Sequence, residues 1–90
     1  MGKGPVDDRA LQRFAEANGL DWQWGGGRRG DGIHIWIRVT GTGAPIWMSS
    51  NSADVSAQDL FTQVLGWVRQ HWHEQDRARR HRVEALRNGW

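Results

Sequence analysis

The stretch that decides the fold is residues 33–40, where β-branched side chains alternate with polar and aromatic ones: Ile33-His34-Ile35-Trp36-Ile37-Arg38-Val39-Thr40. An alternation of period two is typical of a β-strand, because successive side chains point to opposite faces of a sheet. β-branched residues fill the odd positions, so we expect that face to lie against the core. The even positions, which carry an aromatic ring and a cation, would then point outward.

The following segment is predicted to return as the second strand of a hairpin. A two-residue turn at Thr42-Gly43 would keep every apolar residue of both strands on the core side, in the pairs Val39–Ile46 and Ile37–Met48. A slip of one residue would break this arrangement, so the register is well specified. Arg38 would then lie opposite Trp47 on the outer face. The polar residues 49–55 are predicted to form a loop.

The segment before the alternating stretch predicts a helix and a short strand. Asp7 is a suitable N-cap for a helix, and Asn18-Gly19 is a typical helix end. Residues 20–24 are expected to form a strand, and residues 25–32 contain five glycines together with Arg28 and Arg29. Because glycine disfavours the interior of regular elements, we expect a flexible, basic loop there.

A second helix is predicted to begin near Ser56, which forms a capping box with Asp59. Its apolar stripe is Leu60, Phe61, Val64, Leu65 and Val68. Gly66 interrupts this stripe, and close packing against a Trp would explain it. From residue 70 the sequence becomes polar and basic. The helix could run to Arg87, and its last turns are expected to project beyond the domain or to fold back after a break.

These elements predict an α+β fold of order α-β-β-β-α. The three strands would form an antiparallel meander, with both helices on one face and a long C-terminal helix. The predicted organisation is a flexible N-terminal tail over residues 1–6, a single α+β domain over 7–69 and a basic C-terminal helical extension over 70–90.

Composition excludes several classes of protein. The chain has 90 residues and no Cys, so it can form neither disulfides nor Cys-based zinc sites. It contains no apolar run near the 18 or so residues that a membrane helix needs, and residues 1–6 do not resemble a signal peptide. We therefore expect a cytoplasmic protein with no membrane contact. We also expect no metal site and no cofactor.

The basic residues predict an acidic partner. The net charge is only +2, but every basic residue except Lys3 is Arg. Arginine is suited to phosphate and to stacking on aromatic rings, and its concentration in residues 28–38 and 69–87 favours nucleic acid or an acidic protein surface. The candidate binding residues are Arg28, Arg29, His34, Trp36, Arg38, Trp47, Arg77 and Arg80.

Two features of the sequence leave alternatives open. The outward side chains of Trp36 and Trp47 indicate a binding face. Alternatively, the C-terminal segment or a second copy could cover the two rings, or the rings could pair with Arg38 through a cation–π contact. A second apolar stripe near the end of the chain needs a partner, which could be a second copy, the protein's own sheet or another protein. This predicted oligomer interface consists of Trp72, Val83, Leu86 and Trp90.

The order of elements, together with Asn18-Gly19, Arg28-Arg29 and Gly32-Ile33-His34, resembles the double-stranded-RNA-binding-domain-like fold. It is most similar to the small HicA-type toxins of bacterial toxin–antitoxin systems, over roughly residues 10–68. In that family a His cleaves mRNA. The resemblance implies that His34 would be the catalytic residue here.

Three functions are therefore expected. The first is a small non-enzymatic protein that binds nucleic acid or a nucleoprotein complex. Its size, charge and lack of Cys resemble those of phage or mobile-element inhibitors of host defence, such as anti-CRISPR proteins. The second is a HicA-like ribonuclease that uses His34. The third is a structural homodimer held by its C-terminal helices.

Overall fold

The computed structural model describes residues 6–41 and 44–87. Two helices and three strands follow one another as α1 (Arg9–Ala17), β1 (Asp21–Arg29), β2 (Gly32–Thr40), β3 (Ile46–Ser52) and α2 (Ala57–Arg87). The strands form one antiparallel sheet in the order β1-β2-β3. The predicted α+β meander with a long C-terminal helix is confirmed.

The core lies between one face of the sheet and the two helices. β2 contributes Ile35, Ile37 and Val39, and Ile37 has no exposed surface. Trp24 of β1 links the sheet to both helices. Its ring packs edge-on against Phe61 at a centroid distance of 5.1 Å, and its Nε1–H donates a hydrogen bond of 3.0 Å to Asp8. The remaining buried residues of the core are Leu11, Phe14, Ala15, Leu20, Ile46, Leu60, Val64, Leu65, Val68 and Trp72.

The register between β2 and β3 is the predicted one, with Val39 opposite Ile46 and Ile37 opposite Met48. The predicted turn at residues 42–43 lies outside the described residues. β3 runs to Ser52, so the prediction of a loop from residue 49 is wrong for its first four positions. Strand pairing uses backbone groups, and polar side chains can extend a strand whose neighbour is already in place.

β1 is longer than predicted, because residues 25–29 are strand and not loop. Glycine is needed here for space. A Cβ on Gly26 would lie 2.6 Å from the carbonyl oxygen of His34. Arg29 pairs with Gly32, so only Gly30 and Asp31 form the turn. Gly30 has a φ of +63°, which a two-residue hairpin turn with glycine at its first central position requires.

α1 begins at Arg9, with Asp8 and not Asp7 at the N-cap position. The Asp7 carboxylate instead accepts hydrogen bonds from the backbone N–H and the guanidinium of Arg9. These bonds lower the pKa of Asp7 from 3.8 to about 2. Val6, predicted to belong to the tail, packs against the core.

The predicted end of α1 is confirmed. Gly19 has a φ of +66°, and the N–H of Leu20 donates a hydrogen bond of 2.8 Å to the carbonyl oxygen of Ala15.

α2 is unbroken from Ala57 to Arg87, which makes it about 45 Å long. The N–H of Asp59 donates to Ser56 Oγ at 3.1 Å, as the capping box predicts. The predicted domain boundary between residues 69 and 70 falls inside this helix. Beyond Trp72 no described residue of α2 is buried, so the second half of the helix projects and the molecule measures 56 × 22 × 16 Å.

Two expectations about α2 are wrong. Trp72, assigned to an oligomer interface, is only 7% exposed and belongs to the core. The core reaches one turn farther along the helix than the aliphatic stripe indicates. Gly66 makes no close contact with a Trp elsewhere in the described part of the chain, because a Cβ placed there would meet nothing within 4 Å. Its conformational cost of about 1 kcal/mol is therefore not offset by a close contact.

Candidate functional site

The side of the sheet turned away from the helices carries most of the predicted binding residues. We call it the outer face. It is formed by alternate residues of the three strands: Asp21, Gln23, Gly25, Gly27, Arg29, Gly32, His34, Trp36, Arg38, Thr40, Trp47, Ser49 and Asn51. Within the described residues, both helices pack on the opposite side, so the predicted alternative that the C-terminal helix covers this face is wrong for residues up to 87.

Trp36 and Trp47 form an aromatic pair at the centre and edge of the outer face. Their ring centroids are 6.3 Å apart and their planes are inclined by 69°. The indole of Trp36 lies over Gly25, where a Cβ would come within 2.8 Å of three ring atoms. Trp36 is therefore half-buried and held in place, whereas Trp47 is 67% exposed. The two rings contact each other, and in the described residues Arg38 makes no cation–π contact with either of them.

Arg38 stands beside this pair. It lies between Gln23 of β1 and Trp47 of β3 in the same cross-strand row. These three residues, with Trp36 and Pro45, line an open groove of about 710 Å³. Asp21 lies one row farther on and lines a neighbouring depression together with Arg38. The groove thus combines aromatic surface, an amide and a cation, with one carboxylate near its end.

Arg28 and Arg29 do not act as one basic loop, because they are successive residues of a strand and point to opposite faces. Arg29 is on the outer face. Arg28 is on the helix side, where it lines a largely apolar cavity of about 430 Å³ with Trp24 and Ile33. Only one of the two predicted arginines can therefore act together with Trp36 and Arg38.

His34 is half-buried on the outer face, between Gly27 of β1 and Asn51 of β3. Arg29 lies diagonally across from it, since Arg29 pairs with Gly32. The imidazole is therefore placed on the same side of the sheet as a cation that could hold a phosphate.

Arg77 and Arg80 lie on the projecting half of α2, in a group with His73 and Asp76 that includes no residue of the sheet. Arg80 Nε is 3.0 Å from Asp76 Oδ2. The structure does not bring these two arginines to the outer face. Of the predicted oligomer interface, Val83 and Leu86 are exposed and Trp90 lies outside the described residues, so homodimerisation stays a prediction.

Sequence reasoning missed Gln23 and Gly25 on the outer face, and Arg79 and Arg82 on α2. Gln23 and Gly25 both share the parity of Asp21 in β1. Gln23 already lies in the predicted strand, opposite in direction to Trp22 and Trp24, whereas Gly25 is the first residue beyond it. Arg79 lies over the ring of Trp72 at 5.4 Å from its centroid. Its spacing of seven residues from Trp72 places both side chains on one face of the helix, which is the signal for that contact.

Comparison of the chain with protein-family models, with curated proteins and with solved structures finds no match. In residues 6–41 and 44–87 no three His, Asp or Glu side chains form a group that could hold a metal ion. No helix in that part of the chain combines the length and apolar character needed to cross a membrane.

Proposed function

We propose that this chain is a non-enzymatic binding protein whose outer face holds single-stranded nucleic acid by stacking bases on Trp47 and Trp36. The observation that carries the proposal is the exposed Trp47 ring beside a fixed Trp36 and the Arg38 cation. Single-stranded nucleic acid is commonly bound by such combinations of aromatic platforms and basic side chains.

The composition of the outer face favours nucleic acid over a protein partner. Protein interfaces bury a central apolar core. The described positions of the outer face hold no aliphatic side chain, and Ser49, Asn51 and two glycines surround the aromatic pair. An open polar surface with two rings and two arginines offers a base its stacking plane and a phosphate its charge-assisted hydrogen bonds.

The shape of the outer face favours single strands over duplexes. Bases in a duplex are already stacked on one another, and a protein reads only their edges, through a helix or ribbon placed in a groove. The outer face is an open sheet, from which no helix of the described residues projects. An exposed ring such as Trp47 can stack only on a base that has left its neighbours.

The test is fluorescence anisotropy with labelled 12-nucleotide DNA and RNA strands and with the matching duplexes. We expect the single strands to bind more tightly, and their affinity to fall as salt rises. Trp47→Ala should weaken binding roughly 5- to 150-fold, because one base–aromatic stack contributes about 1–3 kcal/mol. Trp67→Ala is the matched control, since Trp67 is 38% exposed but lies on α2, away from the outer face.

Two results would overturn the proposal. One is that no single strand binds at low salt, which would leave an acidic protein as the partner to seek. The other is that Trp47→Ala and Trp67→Ala weaken binding equally, which would show that the outer face has no special part in it.

A second candidate function is cleavage of mRNA by His34, which the proximity of Arg29 on the same face favours. A histidine beside a phosphate-binding cation can act as a general acid or base. Under this alternative the bound RNA is cut, and His34→Ala stops cleavage while binding persists. Intact RNA after prolonged incubation with the unmodified protein would exclude it.

A further inference from the structure

The projecting half of α2 leaves the domain at the same end of the sheet as the aromatic pair. Pro45 lines the groove that contains Trp47 on the outer face. Its neighbour Ala44 lines a separate cavity of about 350 Å³ with Trp72 and Arg82 of α2. The neighbouring residues Ala44 and Pro45 therefore lie between the groove and the first turns of the projecting helix.

One side of this helix continues the face that the core buries. In an α-helix each residue turns by about 100°, so Arg79 lies about 20° and Arg82 about 80° from the direction of Trp72. Arg77, by contrast, lies about 140° away on the other side. Arg79 and Arg82 line the cavity next to Ala44, whereas Arg77 does not. We call these two arginines the arginine ledge.

The arginine ledge is partly ordered before any ligand binds. The Arg79 guanidinium forms an ion pair with the Asp76 carboxylate and lies over the ring of Trp72. A side chain that is already fixed loses less conformational entropy when it meets a phosphate. Arg82 stands one turn farther out and is exposed.

We infer that the arginine ledge is a second contact for the nucleic-acid strand that the outer face holds, an inference that rests on the proposed function. Trp47 is three residues from Ala44, a span of about 10 Å along an extended strand. A nucleic-acid strand that leaves the aromatic pair at this end passes over residues 44 and 45 and reaches the ledge. Guanidinium groups pair well with phosphates, so the ledge binds backbone and not bases.

The second contact makes affinity depend on the length of the strand. A short strand reaches the aromatic pair only. A longer strand binds the ledge as an intramolecular second step, and its affinity rises without any change at the outer face.

The test measures the affinity of single strands of 3, 6, 9, 12 and 15 nucleotides for four forms of the full chain: the unmodified protein, Arg82→Ala, Arg77→Ala and Trp47→Ala. Arg82→Ala should leave the shortest strands unaffected and weaken the longest roughly five- to tenfold, with a salt slope smaller by about 0.7. Arg77→Ala removes the same charge from the same half of α2 but from its other side, and should have a much smaller effect. Both residues are exposed, and equal unfolding midpoints would show that the fold is intact.

Arg79 is not the residue to replace, because its loss would also uncover Trp72. Equal losses in Arg82→Ala and Arg77→Ala would overturn the inference, since they would indicate a general effect of charge. A loss in Arg82→Ala that is the same for the shortest and longest strands would also overturn it.

Trp47→Ala separates this inference from the proposed function. If Trp47→Ala weakens binding at every length and Arg82→Ala at none, only the arginine ledge is refuted. If Trp47→Ala has no effect at any length, the proposed function fails and the ledge fails with it.

Discussion

The two faces of β2 show how one strand can meet two different demands. Its inner face presents Ile35, Ile37 and Val39 to the helices, and all three are buried. Its outer face presents Trp36 and Arg38 to solvent, next to Trp47 of β3. Neighbouring residues of the strand therefore lie in environments of opposite polarity, because successive side chains point to opposite faces of the sheet.

The difference lies in the kind of side chain each face can use. The inner face gains its stability from apolar area removed from water, about 25 cal/mol per Å², and close-packed aliphatic groups serve it best. The outer face contributes little of this kind, because its glycines and polar side chains bury little apolar area. Truncation of a buried side chain on the inner face should therefore change stability, and truncation of an exposed side chain on the outer face should change binding.

The largest effect is expected for Ile37→Ala. Ile37 has no exposed surface, so its truncation should lower the free energy of unfolding by about 2–5 kcal/mol. Arg38→Ala, one residue farther along, should change it by less than about 0.5 kcal/mol, since Arg38 is exposed. Urea unfolding followed by circular dichroism measures both.

Arg38→Ala should show the opposite pattern to Ile37→Ala when nucleic-acid binding is measured beside stability. Arg38→Ala should weaken the binding of a single strand while the unfolding midpoint stays unchanged. A large loss of stability in Arg38→Ala would contradict the view that the inner face supplies stability and the outer face binding, because the guanidinium would then stabilise the fold.

Sequence alone predicted the parts of the fold that side-chain patterns control. The alternation in β2 settled which residues enter the core, and the apolar residues of β3 settled the register of the second hairpin. Trp36, Arg38 and Trp47 were placed on one face for the same reason. These predictions needed the parity of neighbouring residues and, for the register, a two-residue turn between the strands.

The extension of β1 and the position of Arg28 could not be predicted in that way. Residues 25–27 are all glycine and carry no pattern, so only the pairing with β2 reveals them as strand. Without that extension, Arg28 and Arg29 could not be assigned to opposite faces. Burial of Trp72 depends on how far α2 runs along the sheet, which is a property of the packed structure.

The next largest effect tests the glycines of β1. In Gly25→Ala the new methyl group would lie 2.8 Å from the Trp36 indole, so the ring must move. Crowding of this kind costs about 1–3 kcal/mol, and we expect weaker stacking of nucleic acid as well. Urea unfolding and anisotropy with a single strand measure the two effects.

Gly27→Ala is the matched control, because Gly27 is on the same face of the same strand and a Cβ there meets nothing within 4 Å. Gly27→Ala should be neutral, or should stabilise the fold by up to about 1 kcal/mol, because alanine lowers the conformational entropy of the unfolded chain. Equal destabilisation by both substitutions would mean that β1 rejects side chains in general, and that Trp36 does not depend on Gly25 for its position.

The smallest effect concerns the carboxylate of the outer face. Asp21 pairs with Thr40 in the row next to Arg38, so its charge lies close to the proposed path of the phosphates. Asp21→Asn should raise the affinity for a single strand by up to about fivefold, the range set by 0.2–1 kcal/mol for exposed charges. The gain should fade as salt rises, because exposed charges are screened. Glu16→Gln makes the same change of net charge on α1, behind the sheet, and should leave affinity unchanged. Equal gains from both would show that net charge attracts the strand, whereas a gain confined to Asp21→Asn would place the phosphates beside Arg38.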